Sequence, residues 1–241
     1  MDLHKHADRQ GPGGDAESEK ALTLAGVDRT RPLKIADIGC GTGASTLVLA
    51  RLPAAKITAV DFLQDFLDVL EERAEKLGLS ERITTLCRSM DDLPFADEEY
   101  DVIWSEGAIY NIGFEKGVND WSRYLKKGGR LVVSEITWTT DSRPSELQRH
   151  WESEYPGIDV ASAKIAVLEK NGYSPIGYFV LPEYCWLDNF YRPLQKTFES
   201  FLDRNGNSEA ARAIVDAEKR EIELYERYRA YYSYGVYISR K

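Results

Sequence analysis

The chain holds 241 residues, with 31 Lys and Arg against 40 Asp and Glu, for a formal charge of −9. That length suits one large α/β domain and can bury a substantial core, and the 43% hydrophobic and 29% charged content excludes wholesale disorder. No uncharged run nears the roughly 20 residues of a membrane helix, and the acidic balance opposes nucleic-acid binding, so small or uncharged substrates fit better.

In chain order, residues 1–15 are rich in Gly and charge and read as a flexible arm. Short strands at Lys34–Ile38 and Lys56–Val60 bracket a helix over Gly43–Arg51. A second helix runs from Leu63 to Leu77, with Phe66, Leu67, Leu70, Ala74 and Leu77 at three- and four-residue steps, and Gly78 stands where a left-handed cap is wanted. Strands follow at Ile83–Cys87, Tyr100–Ser105 and Arg130–Ile136, with a helix near Phe114–Tyr124 and a turn at Lys126–Gly129. Such alternation predicts a parallel sheet covered on both faces, with ligands at the carboxyl ends of its strands.

Beyond Ile136 the pattern loosens. Helices are predicted at Pro144–Tyr155 and Val160–Lys170, and strands at Pro175–Leu181 and Tyr234–Ser239. Between those strands, Ile214, Val215, Ile222, Tyr225 and Tyr228 share an arc of roughly 140° on a helix over Ser208–Ala230. Its apolar face suits either a lid over a pocket or a homodimer contact.

The densest signal is Asp37-Ile-Gly39-Cys-Gly41-Thr-Gly43, at a strand-to-helix turn. Glycines allow a tight turn and close ligand approach, and the helix start offers N–H donors. Gly39, Gly41 and Ala44 also satisfy the dinucleotide pattern, so the loop alone is ambiguous. Asp61 ends the second strand, where a carboxylate can accept both ribose hydroxyls; it equally suits a helix N-cap. Ser89-Met90-Asp91-Asp92-Leu93-Pro94-Phe95 follows the third strand, where a backbone N–H and an acidic or hydroxyl side chain can read an adenine edge, with Met90 on its face.

These residues together resemble the class I S-adenosylmethionine-dependent methyltransferases. Asp37–Gly43 is similar to their glycine motif, Asp61 to their ribose acid, and Met90-Asp91 to their adenine segment. Tyr100-Asp101-Val102-Ile103 and the run Leu125–Leu131 resemble their fourth strand and the turn into the fifth. The resemblance covers roughly residues 30–140, taken as the cofactor-binding core of a single domain over 1–241, with helical lid insertions at 141–160 and 186–231. It implies a Rossmann-like, doubly wound, seven-stranded α/β sheet in the order 3-2-1-4-5-7-6, the last strand antiparallel. A narrower resemblance, carried by Arg9–Gly13 and Ser105–Asn111, is to a small-molecule branch near the quinone-biosynthesis C-methyltransferases. That pattern commonly has Asp where Ser89 stands, which leaves the adenine amine to Ser89 or Asp91.

The resemblance implies S-adenosylmethionine as cofactor, with S-adenosylhomocysteine as product. The residues expected to hold it are Arg9, Asp37, Gly39, Cys40, Gly41, Asp61, Phe62, Ser89, Met90, Asp91, Ser105 and Glu106. Methyl transfer is an in-line displacement aided by positioning and by a dry aromatic pocket. Of 27 aromatic residues 18 lie after Thr137, so Trp138, Trp151, Tyr155, Trp186 and Tyr191 are pocket candidates beside Tyr110 and Asn111. Glu106, with Tyr110 one turn on, and His150 are the candidates for proton transfer.

No metal is expected, because Cys40, Cys87 and Cys185 are scattered and two of the three histidines, His4 and His6, sit in the arm. A polar N-terminus and unpaired cysteines predict the cytoplasm, with no nucleic-acid or membrane partner. The expected activity is methylation of a small molecule. The alternatives are a non-catalytic cofactor-binding module and, less favoured, a dinucleotide oxidoreductase.

Overall fold

The computed structural model describes residues 3–5 and 7–241; Met1, Asp2 and His6 of the arm lie outside it. Seven strands form one hydrogen-bonded path, β3-β2-β1-β4-β5-β8-β7. They are β1 (Leu33–Ile38), β2 (Ala55–Asp61), β3 (Ile83–Cys87), β4 (Tyr100–Ser105), β5 (Leu125–Trp138), β7 (Ser174–Val180) and β8 (Tyr232–Arg240). A two-residue strand, β6 (Asp159–Val160), adds parallel to the end of β5. Counting β6 in chain order turns the expected 3-2-1-4-5-7-6 into this order. β8 runs antiparallel to both β5 and β7, as the closing strand should.

Side-chain alternation on the strands divides the core. Ile35, Ile57, Val102 and Val132 face α1 (Asp15–Ala25) and α2 (Ala44–Leu49), while Ala36, Ile38, Ile103, Leu131 and Val133 pack under α4 (Phe114–Ser122) and α6 (Ala161–Lys170). Apolar residues on both faces are the mark of a sheet buried on both sides. The third helix, α3 (Gln64–Lys76), covers β2 and β3 through Leu67, Leu70 and Ala74. Leu77, placed on that stripe by spacing, is 56% exposed, because the helix ends one residue earlier.

The C-terminal half builds the rest of the α1–α2 side. After α5 (Ser145–Glu154) and β7, the helices α7 (Glu183–Trp186) and α8 (Arg192–Gln195) are joined by a π-helical turn over Leu187–Tyr191. They are followed by α9 (Phe198–Arg204) and α10 (Glu209–Tyr228). Ser208 caps α10 by accepting the Ala211 N–H at 3.3 Å. Val215, Ile222, Tyr225 and Tyr228 are buried within this chain, joined by Ala211, whereas Ile214, at the edge of the predicted arc, is 42% exposed.

Two further differences from the sequence expectation bear on the site. The helix α1 is additional, and it ends on Gly26 in the left-handed region. The described part of the arm packs on the core instead of projecting from it. Leu3 is buried, and Gln10 reaches the glycine loop, contacts that residues without periodicity give no hint of.

Candidate active site

The strand order reverses between β1 and β4, and a cleft of about 590 Å³ opens at the carboxyl ends of these strands. Its floor is the loop from β1 to α2. Gly39 has φ +76° there, and a Cβ on it would lie 2.3 Å from Cβ of Ala108, so only glycine lets the β4 loop close over it. Every backbone N–H from Gly39 to Gly43 is engaged inside the protein. Gly39 and Cys40 donate to the Val60 carbonyl, Gly41 to Asp61 Oδ2 at 2.8 Å, Thr42 to Gln10 Oε1 at 2.9 Å, and Gly43 to the Cys40 carbonyl.

Asp61 ends β2, and its Oδ1 also accepts the Leu63 N–H at 3.0 Å, so it anchors the loop and the start of α3 while lining the cleft. Beside it Phe62 is 71% exposed, an apolar ring left open at the rim. Met90 lies against Gly39, and its carbonyl accepts the Trp121 indole N–H at 3.0 Å, which fixes the segment after β3. Ser89 donates to Asp91 Oδ1, a bond that holds the Asp91 carboxyl below its ordinary range. Neither residue is therefore independent of the other.

Glu106, just past β4, is held by three donors. Oε1 accepts from Ser18 Oγ at 2.6 Å and from Trp104 Nε1 at 3.0 Å, and Oε2 accepts from Arg9 Nη1 at 3.3 Å. Arg9, which also reaches Asp15 at 3.2 Å, pins the arm over the cleft. Asp37 and Ser105 do not line the cleft but lie buried beneath it. Cys40 does line it, and burial pushes its thiol well up, which keeps it an inert filler.

A second cavity, of about 820 Å³, lies between α5 and α10. Tyr110 borders both spaces, its ring 5.9 Å from that of Tyr155. Trp151 and His150 line this cavity as a T-shaped pair 5.4 Å apart. Among the described residues, no group of three or more His, Cys, Asp and Glu side chains is placed to hold a metal ion.

The comparisons with known proteins follow this geometry. The sequence profile of the family described as "Methyltransferase domain" matches residues 35–129. Residues 35–129 thus match a methyltransferase domain. A demethylmenaquinone methyltransferase of Bacteroides fragilis is 34% identical over 116 residues, covering 47% of this chain and 47% of that protein. A methyltransferase of Streptomyces halstedii is 31% identical over 104 residues, 43% of this chain and 37% of the other. This chain thus spans less than half the length of these curated relatives. A methyltransferase from Geobacter sulfurreducens, solved with S-adenosyl-L-homocysteine, superposes with TM-score 0.85 over 98% of this chain and 95% of its own, at 19% identity. A (4+2)-cyclase superposes with TM-score 0.76 over 94% and 81%, at 23% identity. The Rossmann-like fold of the methyltransferase domain therefore extends through the whole chain.

Around the methyltransferase domain, the pocket candidates separate into two sets. Tyr110, Trp151 and Tyr155 line the second cavity, and Asn111 the cleft. Trp138, Trp186 and Tyr191 line neither space, which corrects the expectation that they form the acceptor pocket. Trp186 stacks on Tyr225 at 4.4 Å and on Tyr234 at 5.3 Å, Tyr191 donates to Glu221 at 3.0 Å, and Trp138 lies under the Arg143 guanidinium. Sequence reasoning also missed Gln10, Ser18, Glu135, Lys164 and Tyr234. Their partners lie far along the chain, and no local spacing marks them.

Asp37 makes a pH test of the methyltransferase domain. Oδ2 accepts from Ser45 at 2.9 Å and Thr46 at 2.6 Å, but Oδ1 has no partner. Burial raises its pKa from 3.8 to about 7, against those hydrogen bonds. The folded protein therefore keeps a proton here that the unfolded chain releases. The resulting stability is present below about pH 4 and is lost as pH rises through about 7. Thermal melts from pH 4 to 8 should show Asp37→Asn losing less stability with rising pH than the wild type. Parallel curves would refute the assignment.

Proposed function

We propose that the chain transfers a methyl group from S-adenosylmethionine to a small-molecule acceptor, as one domain with helical lids, working in the cytoplasm. The observation that carries the cofactor is the state of the glycine loop. Its N–H groups are taken by Val60, Asp61, Gln10 and Cys40, so none from Gly39 to Gly43 is left for a pyrophosphate, and carboxylates line the cleft instead. A dinucleotide would meet Asp61, Glu106 and Asp91 with its own negative charge. A ligand carrying a sulfonium and an ammonium meets complementary charge.

The residues present fit that ligand. Asp61 keeps lone pairs free for ribose hydroxyls, Met90 and Phe62 offer faces for adenine, and Ser89 with Asp91 reads its edge. Glu106 and Arg9 line the end of the cleft proposed for the methionine part, with Arg9 as counter-charge to its carboxylate and Asp37 buried beneath. When bound, the cofactor supplies an electrophilic methyl group. The chain's own contribution is to orient the acceptor past Tyr110 and to exclude water with α5 and α10. The name of the Bacteroides relative, a demethylmenaquinone methyltransferase, supports transfer to a small molecule. Among the described residues no helix is long and apolar enough to cross a membrane.

Calorimetric titration with S-adenosylmethionine, S-adenosylhomocysteine and NAD tests the reading. Binding of the first two at micromolar concentration and none of NAD is expected. Binding of NAD alone, or of none of the three, would sink it. The (4+2)-cyclase among the structural neighbours favours one second reading, a cofactor-binding protein that transfers no methyl group, since fold does not fix reaction. Cofactor binding without S-adenosylhomocysteine release over a panel of phenols, amines and thiols would support it.

A further inference from the structure

Methyl transfer to a hydroxyl, amine or acidic carbon leaves one proton to be removed. Glu106, the nearest carboxylate to the cleft on sequence grounds, already accepts three donors. The second cavity has a different carboxylate behind its wall. Glu135, near the carboxyl end of β5, is fully buried. Its Oε1 accepts from the Tyr155 hydroxyl and from Lys164 Nζ at 3.1 Å, while Oε2 has no partner.

A buried ion pair is stable when its remaining lone pairs are satisfied, and here one oxygen is left bare. An under-solvated carboxylate is more basic than an ordinary one, and burial does raise the pKa of Glu135 against the opposing charge of Lys164. Lys164 is itself held by the Gly157 carbonyl at 2.7 Å and lies 4.6 Å from the Phe114 ring centroid, so its charge is fixed in place. The cavity is also lined by His150 and Glu154 from α5 and by Glu218 and Glu221 from α10, while around Glu135 itself stand three phenols: Tyr234 and Tyr237 from β8, and Tyr110 from the loop after β4. Burial pushes all three upward, so they stay neutral and do not compete for the proton. Tyr110, Tyr155 and Tyr234 all line the cavity, and of these Tyr155 is the one hydrogen-bonded to Glu135, one aromatic ring away from the cofactor cleft through Tyr110.

We infer that Tyr155 and Glu135 form the proton-accepting pair for a hydroxyl-bearing acceptor in the second cavity, which rests on the methyltransferase reading above. The acceptor's O–H bond breaks and its proton goes to Tyr155 Oη. The proton that Tyr155 already carried passes along the existing hydrogen bond to Glu135 Oε1. Two protons each move one step and the net transfer is one: the acceptor gains a negative charge and the carboxylate loses one. Tyr155 touches the acceptor; Glu135 acts through it and is a positioning residue, as is Lys164. A purely structural tie between β5, the Tyr155 loop and α6 would not change the ionisation of anything in the cavity.

The test uses 4-nitrophenol, whose ionised form absorbs in the visible. It is added to wild type, Tyr155→Phe and Glu135→Gln, each saturated with S-adenosylhomocysteine, about one pH unit below the probe's own pKa. In the wild type the bound probe should show an ionised-to-protonated ratio about tenfold above that in solution. Both variants should return it to the solution value while binding S-adenosylhomocysteine as tightly as the wild type. Should Glu135→Gln fail to fold, Tyr155→Phe removes only the hydroxyl and decides alone. A probe that stays protonated in the wild type, fails to bind, or ionises equally in the variants overturns the inference. Loss of S-adenosylhomocysteine binding by the wild type is read separately, in the calorimetry, and would overturn the parent reading together with this one.

Discussion

Asp61→Ala is expected to weaken S-adenosylhomocysteine binding by roughly two orders of magnitude. A carboxylate that receives two ribose hydroxyls makes hydrogen bonds worth about 1.5–3 kcal/mol each. Even the low end of that pair, about 3 kcal/mol, is about a hundredfold in affinity. The substitution also frees the Gly41 and Leu63 N–H groups that Asp61 now accepts, so the loop loses its tie to the end of β2. Asp61→Asn separates the two effects, because an amide oxygen still accepts one N–H but brings no charge. Calorimetry on the three proteins is the check. Unchanged affinity in a folded Asp61→Ala protein would remove the ribose assignment and leave Asp61 as the anchor of the glycine loop and of the approach to α3.

Trp186→Ala should act on stability instead of on the site. The indole is 4% exposed, lies between the rings of Tyr225 and Tyr234, and donates to Ser233 Oγ at 2.9 Å. Deleting a buried aromatic side chain of this size costs about 3–5 kcal/mol. For a chain of this length each kcal/mol lowers Tm by about 2–4 °C, so a fall of about 6–20 °C is expected. Below the new transition, S-adenosylhomocysteine should bind as before, because Trp186 does not line the cleft. A variant with unchanged Tm would place Trp186 outside the core and restore it as a pocket residue.

Position along the chain accounts for much of what can be read in advance. The strands β1 to β4, the helix over Leu63–Leu77 and the closing strand follow from two- and three-to-four-residue periodicities, which are local properties of the backbone. The glycine loop and Asp61 are legible for a related reason. Each sits at the end of a strand, and strand ends in such sheets are where ligands bind. The aromatic residues after Thr137 carry no such marker. Trp151 and Trp186 look equivalent in composition, yet one borders a cavity and the other is stacked inside the core. The π-helical turn over Leu187–Tyr191 rotates its side chains away from any simple helical count, and Tyr191 is buried as a result.

By itself, then, the sequence determined the main strands of the sheet, the glycine loop at the end of β1, and the acid at the end of β2. Neighbours in the chain impose these through backbone geometry. Tertiary structure alone decided the state of the ionisable groups. Two of the three donors to Glu106, Arg9 and Ser18, lie 97 and 88 positions away, and Glu135 is left with a bare oxygen by partners 20 and 29 positions on. Whether a carboxylate can take up a proton depends on which donors the packing brings to it and on how much water that packing removes. Neither quantity is encoded at the residue's own position.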